Sequence, residues 1–233
     1  TILGQHVFPE LEVGKAGFRS GRYMASTDEI HLTFLGKGGH AAMPHIIDDP
    51  VLAMAETLVS LQTVVSRKTP PEIPCVLSFG AVKAEGATNI IPSEVFVHGT
   101  FRTFDEKWRT RAHQLITEKA KAIAAAHGCS CKVVIDKGYP MVENHPEVTA
   151  AARHAAEKYL GKENVVDLGI RMTAEDFGSF AQQIPACFYR LGTRNQAKGI
   201  TAGLHTSYFD VDEKSLETGT GLLVYEALQQ LKS

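Results

Sequence analysis

A chain of 233 residues is long enough for one large or two small domains. Its 44% hydrophobic and 21% charged content supplies an ordinary globular core and excludes disorder as the organising state. A net charge of -2 without a basic run excludes a nucleic-acid footprint, and no apolar run is long enough to span a membrane, so neither is an expected partner.

Thr1-Ile2-Leu3-Gly4 carries no initiator Met and no signal-peptide pattern, so the chain reads as starting inside a longer protein. The four cysteines are Cys75, Cys129, Cys131 and Cys187, with no Cys-x-x-Cys pair that would point to a zinc knuckle. Cys129 and Cys131 read as i, i+2 neighbours in one strand, which cannot bridge easily. All four are expected as reduced thiols in a cytoplasmic protein.

In chain order, residues 1–14 read as a short strand ending near His6, then a turn at Gly14. Residues 15–28 are Gly-rich without a period and read as a connection. Ile30, Leu32 and Phe34 then alternate with polar residues as a half-buried strand. Gly36 to His45 holds a glycine cluster and two histidines, where Gly allows sharp turns or close approach. A helix capped at Asp48 or Asp49, with Pro50 in its first turn, runs to about Arg67. Its inward stripe reads as Val51, Met54, Ala55, Leu58, Leu61, Gln62 and Val65.

Strands over 75–83 and 95–103 follow, joined by Gly86 to Pro92. A helix from Glu106 to His127 stops at Gly128, and Cys131, Val133 and Ile135 alternate as the next strand. The order β-α-β-β-α-β predicts a ferredoxin-like unit, an antiparallel sheet with two helices on one face. Beyond Pro140 helices and strands alternate: an Ala-rich helix to Leu160, a strand near 164–168, a short helix after Glu175-Asp176, an apolar strand 186–191 and a last helix 212–231. The fold class expected is therefore α/β with an α+β lid. Residues 1–14 and 137–233 form part of an incomplete α/β catalytic domain, and residues 15–136 are the ferredoxin-like lid or dimerisation domain inserted into it.

Ligands in α/β sheets collect at strand ends. His6, at such an end, and His205, among small residues in a late loop, can share a divalent metal. For any one histidine an ordinary surface or core role is the better reading, and it weakens for His205, which lies among small residues rather than in a packing stripe. Asn89, in the loop before Ile90-Ile91-Pro92, can bond a substrate carbonyl or merely close its own turn. Arg102, on the following strand, can pair with a carboxylate bidentately or remain a solvated strand-face side chain. Glu175 and Asp176 read as a helix N-terminal pair, although capping accounts for one acid and not obviously for two.

Taken together, several stretches resemble the aminoacylase and carboxypeptidase metallohydrolases. They are Gly4 to Gly14, Gly36 to His45, Ala87-Thr88-Asn89-Ile90-Ile91-Pro92, Gly99 to Phe104, Ala174-Glu175-Asp176-Phe177 and Leu204-His205-Thr206. The branch is that of N-acyl-amino-acid amidohydrolases, with hippurate and auxin-conjugate hydrolases. The resemblance implies metal-dependent hydrolysis of the amide bond of N-acyl amino acids or related small conjugates and dipeptides.

It further implies a two-metal site (Zn, Mn, Ni or Co), with His6 and His205 as metal ligands. His40 would stabilise the tetrahedral intermediate, and Asn89 and Arg102 would bind substrate. A homodimer through the lid is implied as well. The family's Cys-Gly-His-Asp segment and Glu-Glu pair would precede His6. Without them the chain is expected to be a C-terminal portion, inactive by itself. Two alternatives from other classes are a ferredoxin-like small-molecule-binding module without catalysis and a purely structural dimerisation fragment.

Overall fold

A computed structural model describes residues 1–231. The chain runs as β1 (Ile2–Glu12), β2 (Ala16–Phe18), β3 (Gly21–Met24), β4 (Asp28–Leu35), β5 (Gly39–His40), α1 (Pro50–Thr63), β6 (Cys75–Ala84), β7 (Ile90–Ile91) and β8 (Glu94–Thr103). It continues as α2 (Glu106–Ala126), β9 (Ser130–Lys137), β10 (Val142–Asn144), α3 (Pro146–Leu160), β11 (Val165–Asp167), α4 (Gly178–Ala181), β12 (Ala186–Arg194) and α5 (Lys214–Gln230). The fold is mixed α/β. No helix among the described residues is long and apolar enough to cross a membrane.

Two compact units divide the chain. One joins Thr1–Met24 to the segment from Val142 onward, and the other is Ala25–Met141. The breaks fall ten and five residues later than the expected boundaries at 14 and 136. The stretch after Gly14 is not a connection. β2 pairs parallel with β11 and antiparallel with β12, and β3 pairs antiparallel with β10. Three- and four-residue strands leave no readable period; pairing with distant segments makes them strands.

The first unit is built on a mixed sheet of order β1-β12-β2-β11. β12 is buried along almost its whole length. On one face Cys187 and Tyr189 pack with Ala16, Phe18, Val148, Ala152 and Leu222 beneath α3 and α5. On the other, Ala186 and Phe188 meet Tyr23, Val142 and Phe177. Burying each large apolar side chain contributes about 1.5–3 kcal/mol. β1 runs to Glu12, so His6 lies within the strand rather than at its end, level with Arg190 of β12.

The second unit carries an antiparallel sheet of order β6-β8-β4-β9. Ile30, Leu32, Phe34, Val95, Val97 and Phe101 face Ala53, Met54, Leu61 and Val64 of the first helical segment and Trp108, Ala112, Ile116 and Ala120 of α2. Asp49 caps α1 by accepting from the amides of Val51 and Leu52. The buried face of that helix is turned from the expected stripe: Ala53 and Thr57 are inside, whereas Ala55 and Gln62 are exposed.

Beside α2 lies a charged network that periodicity cannot show. Fully buried Arg109 donates Nε to Asp28 Oδ2 (3.0 Å) and Nη1 to Glu106 Oε2 (3.0 Å). Its Nη2 donates to the carbonyls of Thr27 and Gly138 (3.0 Å each). His113 Nε2 sits 2.7 Å from the same Asp28 Oδ2. Burial works against the Asp28 carboxylate, but the His113 and Arg109 hydrogen bonds outweigh it and hold Asp28 below its ordinary value.

Candidate functional site

His6 of β1 and His205 of the loop after β12 line one cavity of about 620 Å³ in the first unit, together with Glu175 and Arg190. The His6 ring is oriented from behind. Its Nδ1 lies 2.7 Å from the Val7 carbonyl, which only an N–H can satisfy, so in the neutral ring Nε2 carries the lone pair. That nitrogen faces Glu175 Oε2 at 3.9 Å.

Two donors held about 2.1 Å from one tetrahedral ion lie roughly 3.4 Å apart, so this pair is slightly open but of the right order for a shared cation. An imidazole nitrogen with a carboxylate oxygen suits a borderline divalent metal. His205 is the one non-glycine residue among those described with positive φ, at 61°. Left-handed backbone at a non-glycine residue costs about 1–3 kcal/mol and concentrates at functional sites.

Glu175 does not cap a helix. α4 begins after Phe177 without a side-chain cap, and the Glu175 carboxylate instead accepts from the Asp176 amide (3.1 Å). Burial, then a side-chain hydrogen bond with the Asp176 carboxyl, raises Glu175 above the usual carboxylate value, with His6 and Arg190 acting in the opposite sense. Of the expected acid pair, Glu175 is thus part of the cavity wall beside His6. Its signal in the sequence was the second, unexplained acid.

His40 and Asn89 come together in the second unit. β5 and β7 pair, with His40 opposite Ile90, and the Ala41 amide donates to the Asn89 carbonyl (3.0 Å). The His40 Nδ1 accepts from the Ala42 amide (3.1 Å), so the neutral ring keeps its proton on Nε2, an exposed donor. The preceding glycines are there for close approach and not for positive φ. A Cβ on Gly38 would lie 2.4 Å from the Ile91 carbonyl oxygen, and one on Gly36 2.3 Å from that of Asp48.

Arg102 lies on β8, beside a groove shared with Thr27, Glu29, His31 and His98. Among the described residues, the one set of three metal-competent donors within mutual reach is Glu29, His31 and Asp136 on that same sheet. It contains neither predicted metal ligand. The Glu29 and Asp136 side chains are 74% and 68% exposed, as expected of a solvated sheet face.

The model of the peptidase family M20/M25/M40 matches residues 1–229. An N-acetyldiaminopimelate deacetylase of Lactococcus lactis is 34% identical over 219 residues, covering 93% of this chain and 56% of that protein. An N-acetyl-L-cysteine deacetylase of Bacillus subtilis is 32% identical over 231 residues, covering 99% and 54%. The crystal structure of the Bacillus subtilis YXEP protein, described as a dinuclear metal binding peptidase of the M20 family, superposes with a TM-score of 0.81 at 28% identity, covering 100% of this chain and 57% of that one. The chain thus spans just over half the length of these relatives. A match running the length of the chain, over a fold that superposes throughout, gives its lineage: the chain belongs to the peptidase family M20/M25/M40.

Proposed function

We propose that this chain is part of a metal-dependent amidohydrolase acting on the amide bond of N-acyl amino acids or related small conjugates and dipeptides. The observation that carries the reading is the His6 Nε2 lone pair facing Glu175, with His205 on the wall of the same cavity. His6 and His205 would hold a divalent ion (Zn, Mn, Ni or Co) of a two-metal site, with Glu175 as a further oxygen donor at its edge. When bound, such an ion supplies Lewis-acid polarisation and water activation. The Val7 carbonyl keeps the His6 ring in its ligating tautomer. His40 donates from Nε2 to the oxyanion that develops on the substrate carbonyl. Asn89 and Arg102 hold the substrate's carbonyl or carboxylate end.

The first unit is the catalytic domain, and the second is a ferredoxin-like lid through which two copies dimerise. The strand order β6-β8-β4-β9, with two helices packed on one face, supports the lid assignment. Four free thiols are in keeping with a cytoplasmic location. The alternative of a non-catalytic binding module is disfavoured by matched relatives that are named as deacetylases.

The test is acetate release from a panel of N-acetyl amino acids by the parent enzyme, before and after chelation. Activity lost on chelation, restored by added divalent metal and absent in His6→Ala supports the proposal. Hydrolysis that survives chelation or the His6 substitution overturns it.

A further inference from the structure

Arg190 is 4% exposed in the middle of a strand whose neighbours Cys187, Phe188, Tyr189 and Leu191 are all buried. It is level with His6 in a parallel pair, so both side chains leave the sheet on the same face, and both line the cavity. Its Nε donates to the Tyr23 hydroxyl (3.0 Å) and its Nη2 to the Met24 sulfur (3.2 Å), both neutral acceptors. The rings of Phe8, Tyr23 and Phe188 lie 5.1–5.9 Å from the guanidinium carbon. Nη1 is buried and has no hydrogen-bond partner.

The other arginines of the cavity are ion-paired, Arg171 with Glu10 (3.2 Å) and Arg194 with Glu12 (3.3 Å). Arg190 forms no ion pair among the described residues, and Glu175, which feels its charge, is turned to His6. A buried charge without a partner is strongly unfavourable, and aromatic faces offset only part of that. Neutral groups fix this guanidinium in place while leaving its charge unquenched and Nη1 without a partner. Such an arrangement suits bidentate capture of a carboxylate from the cavity.

We infer that Arg190 is a specificity residue that binds a carboxylate of the substrate. This inference rests on the amidohydrolase reading above and narrows its substrate class. The preferred substrates carry an acidic side chain or an acidic acyl group in addition to the carboxylate held by Arg102.

The experiment has two arms. In the first, glutarate and its neutral analogue glutaramide are titrated calorimetrically into the protein and into Arg190→Met and Arg190→Lys. Glutarate is expected to bind and glutaramide not. Loss of the charge-assisted pair should weaken glutarate by about ten- to a hundredfold in Arg190→Met, with Arg190→Lys retaining part of the affinity. In the second arm, kcat/KM of the parent enzyme is compared for N-acetylglutamate and N-acetylglutamine, and the acidic-to-neutral ratio should fall by the same factor when that enzyme carries Arg190→Met. Thermal melts verify folding, and Arg190→Met should match or exceed the parent Tm.

Glutarate affinity unchanged in a folded Arg190→Met, or glutaramide bound as tightly as glutarate, overturns the inference. An equal loss on both substrates with affinity unchanged assigns Arg190 a structural role and overturns it too. If no N-acyl amino acid is hydrolysed, the amidohydrolase reading fails, and the glutarate arm still decides whether Arg190 is an anion receptor.

Discussion

Each unit buries an arginine, and the two are treated in opposite ways. Arg109 in the second unit meets Asp28, Glu106 and two backbone carbonyls, so nearly every donor is used. Arg190 in the first unit meets a phenol, a thioether and three aromatic faces, and one nitrogen is left without a partner. A carboxyl group is left unpartnered there as well, kept largely protonated by burial: Glu226 of α5 is buried with no hydrogen-bond partner at either oxygen. The second unit neutralises its buried charge internally, which favours a rigid scaffold. The first leaves charge unpaired, and His205 strained, in and around the sheet that carries the cavity. Groups left unsatisfied by the fold are the ones free to act on something else.

The largest effect that tests this contrast is on stability. Arg109→Met leaves Asp28 buried without its main partner and should cost about 3–5 kcal/mol in a denaturant melt. Arg190→Met should cost little or nothing. Equal losses at the two positions would break the comparison.

Next in size, His40→Ala tests an exposed residue of the second unit that stands apart from its charge network. In the parent enzyme kcat should fall by about a hundred- to a thousandfold while KM and Tm change little. Unchanged kcat removes His40 from the mechanism.

The smallest effect depends on pH. Burial pushes Glu226 up to about 8, with the nearby Tyr189 hydroxyl pulling the other way. A folded value above the unfolded one means that the native state holds the proton longer. Stability is therefore lost as pH climbs from the ordinary carboxylate value toward 8, by at most about 1.4 kcal/mol per pH unit. Glu226→Gln should raise the Tm at pH 8 and leave it unchanged at pH 4. A gain of equal size at both pH values would mean that Glu226 is not carrying that titration.

The second unit was the more legible in sequence. Ile30, Leu32 and Phe34 alternate, Asp49 and Pro50 mark the start of α1, and Gly128 follows the end of α2 at φ 72°. The first unit was less so. β2 and β3 lie in a Gly-rich stretch that reads as a connection, and the single charge in Ala186-Cys187-Phe188-Tyr189-Arg190-Leu191 is carried within an apolar run. His6, His40, Asn89, Arg102 and His205 were singled out by residue type, loop context and resemblance. Glu175 stood out only as one acid too many.

What the sequence determined by itself was local: the period of each long strand and helix, their caps and stops, and the residue types that can ligate or donate. These follow from backbone geometry over a few residues. What the tertiary structure decided was long-range. It paired β2 with β11 and β12, set Gly38 against Ile91, brought Glu175 to His6, and put Arg190 level with His6 without an acid beside it. Whether a buried charge is quenched depends on partners up to 167 residues away in the chain, as Tyr23 is from Arg190, and no local pattern encodes that distance.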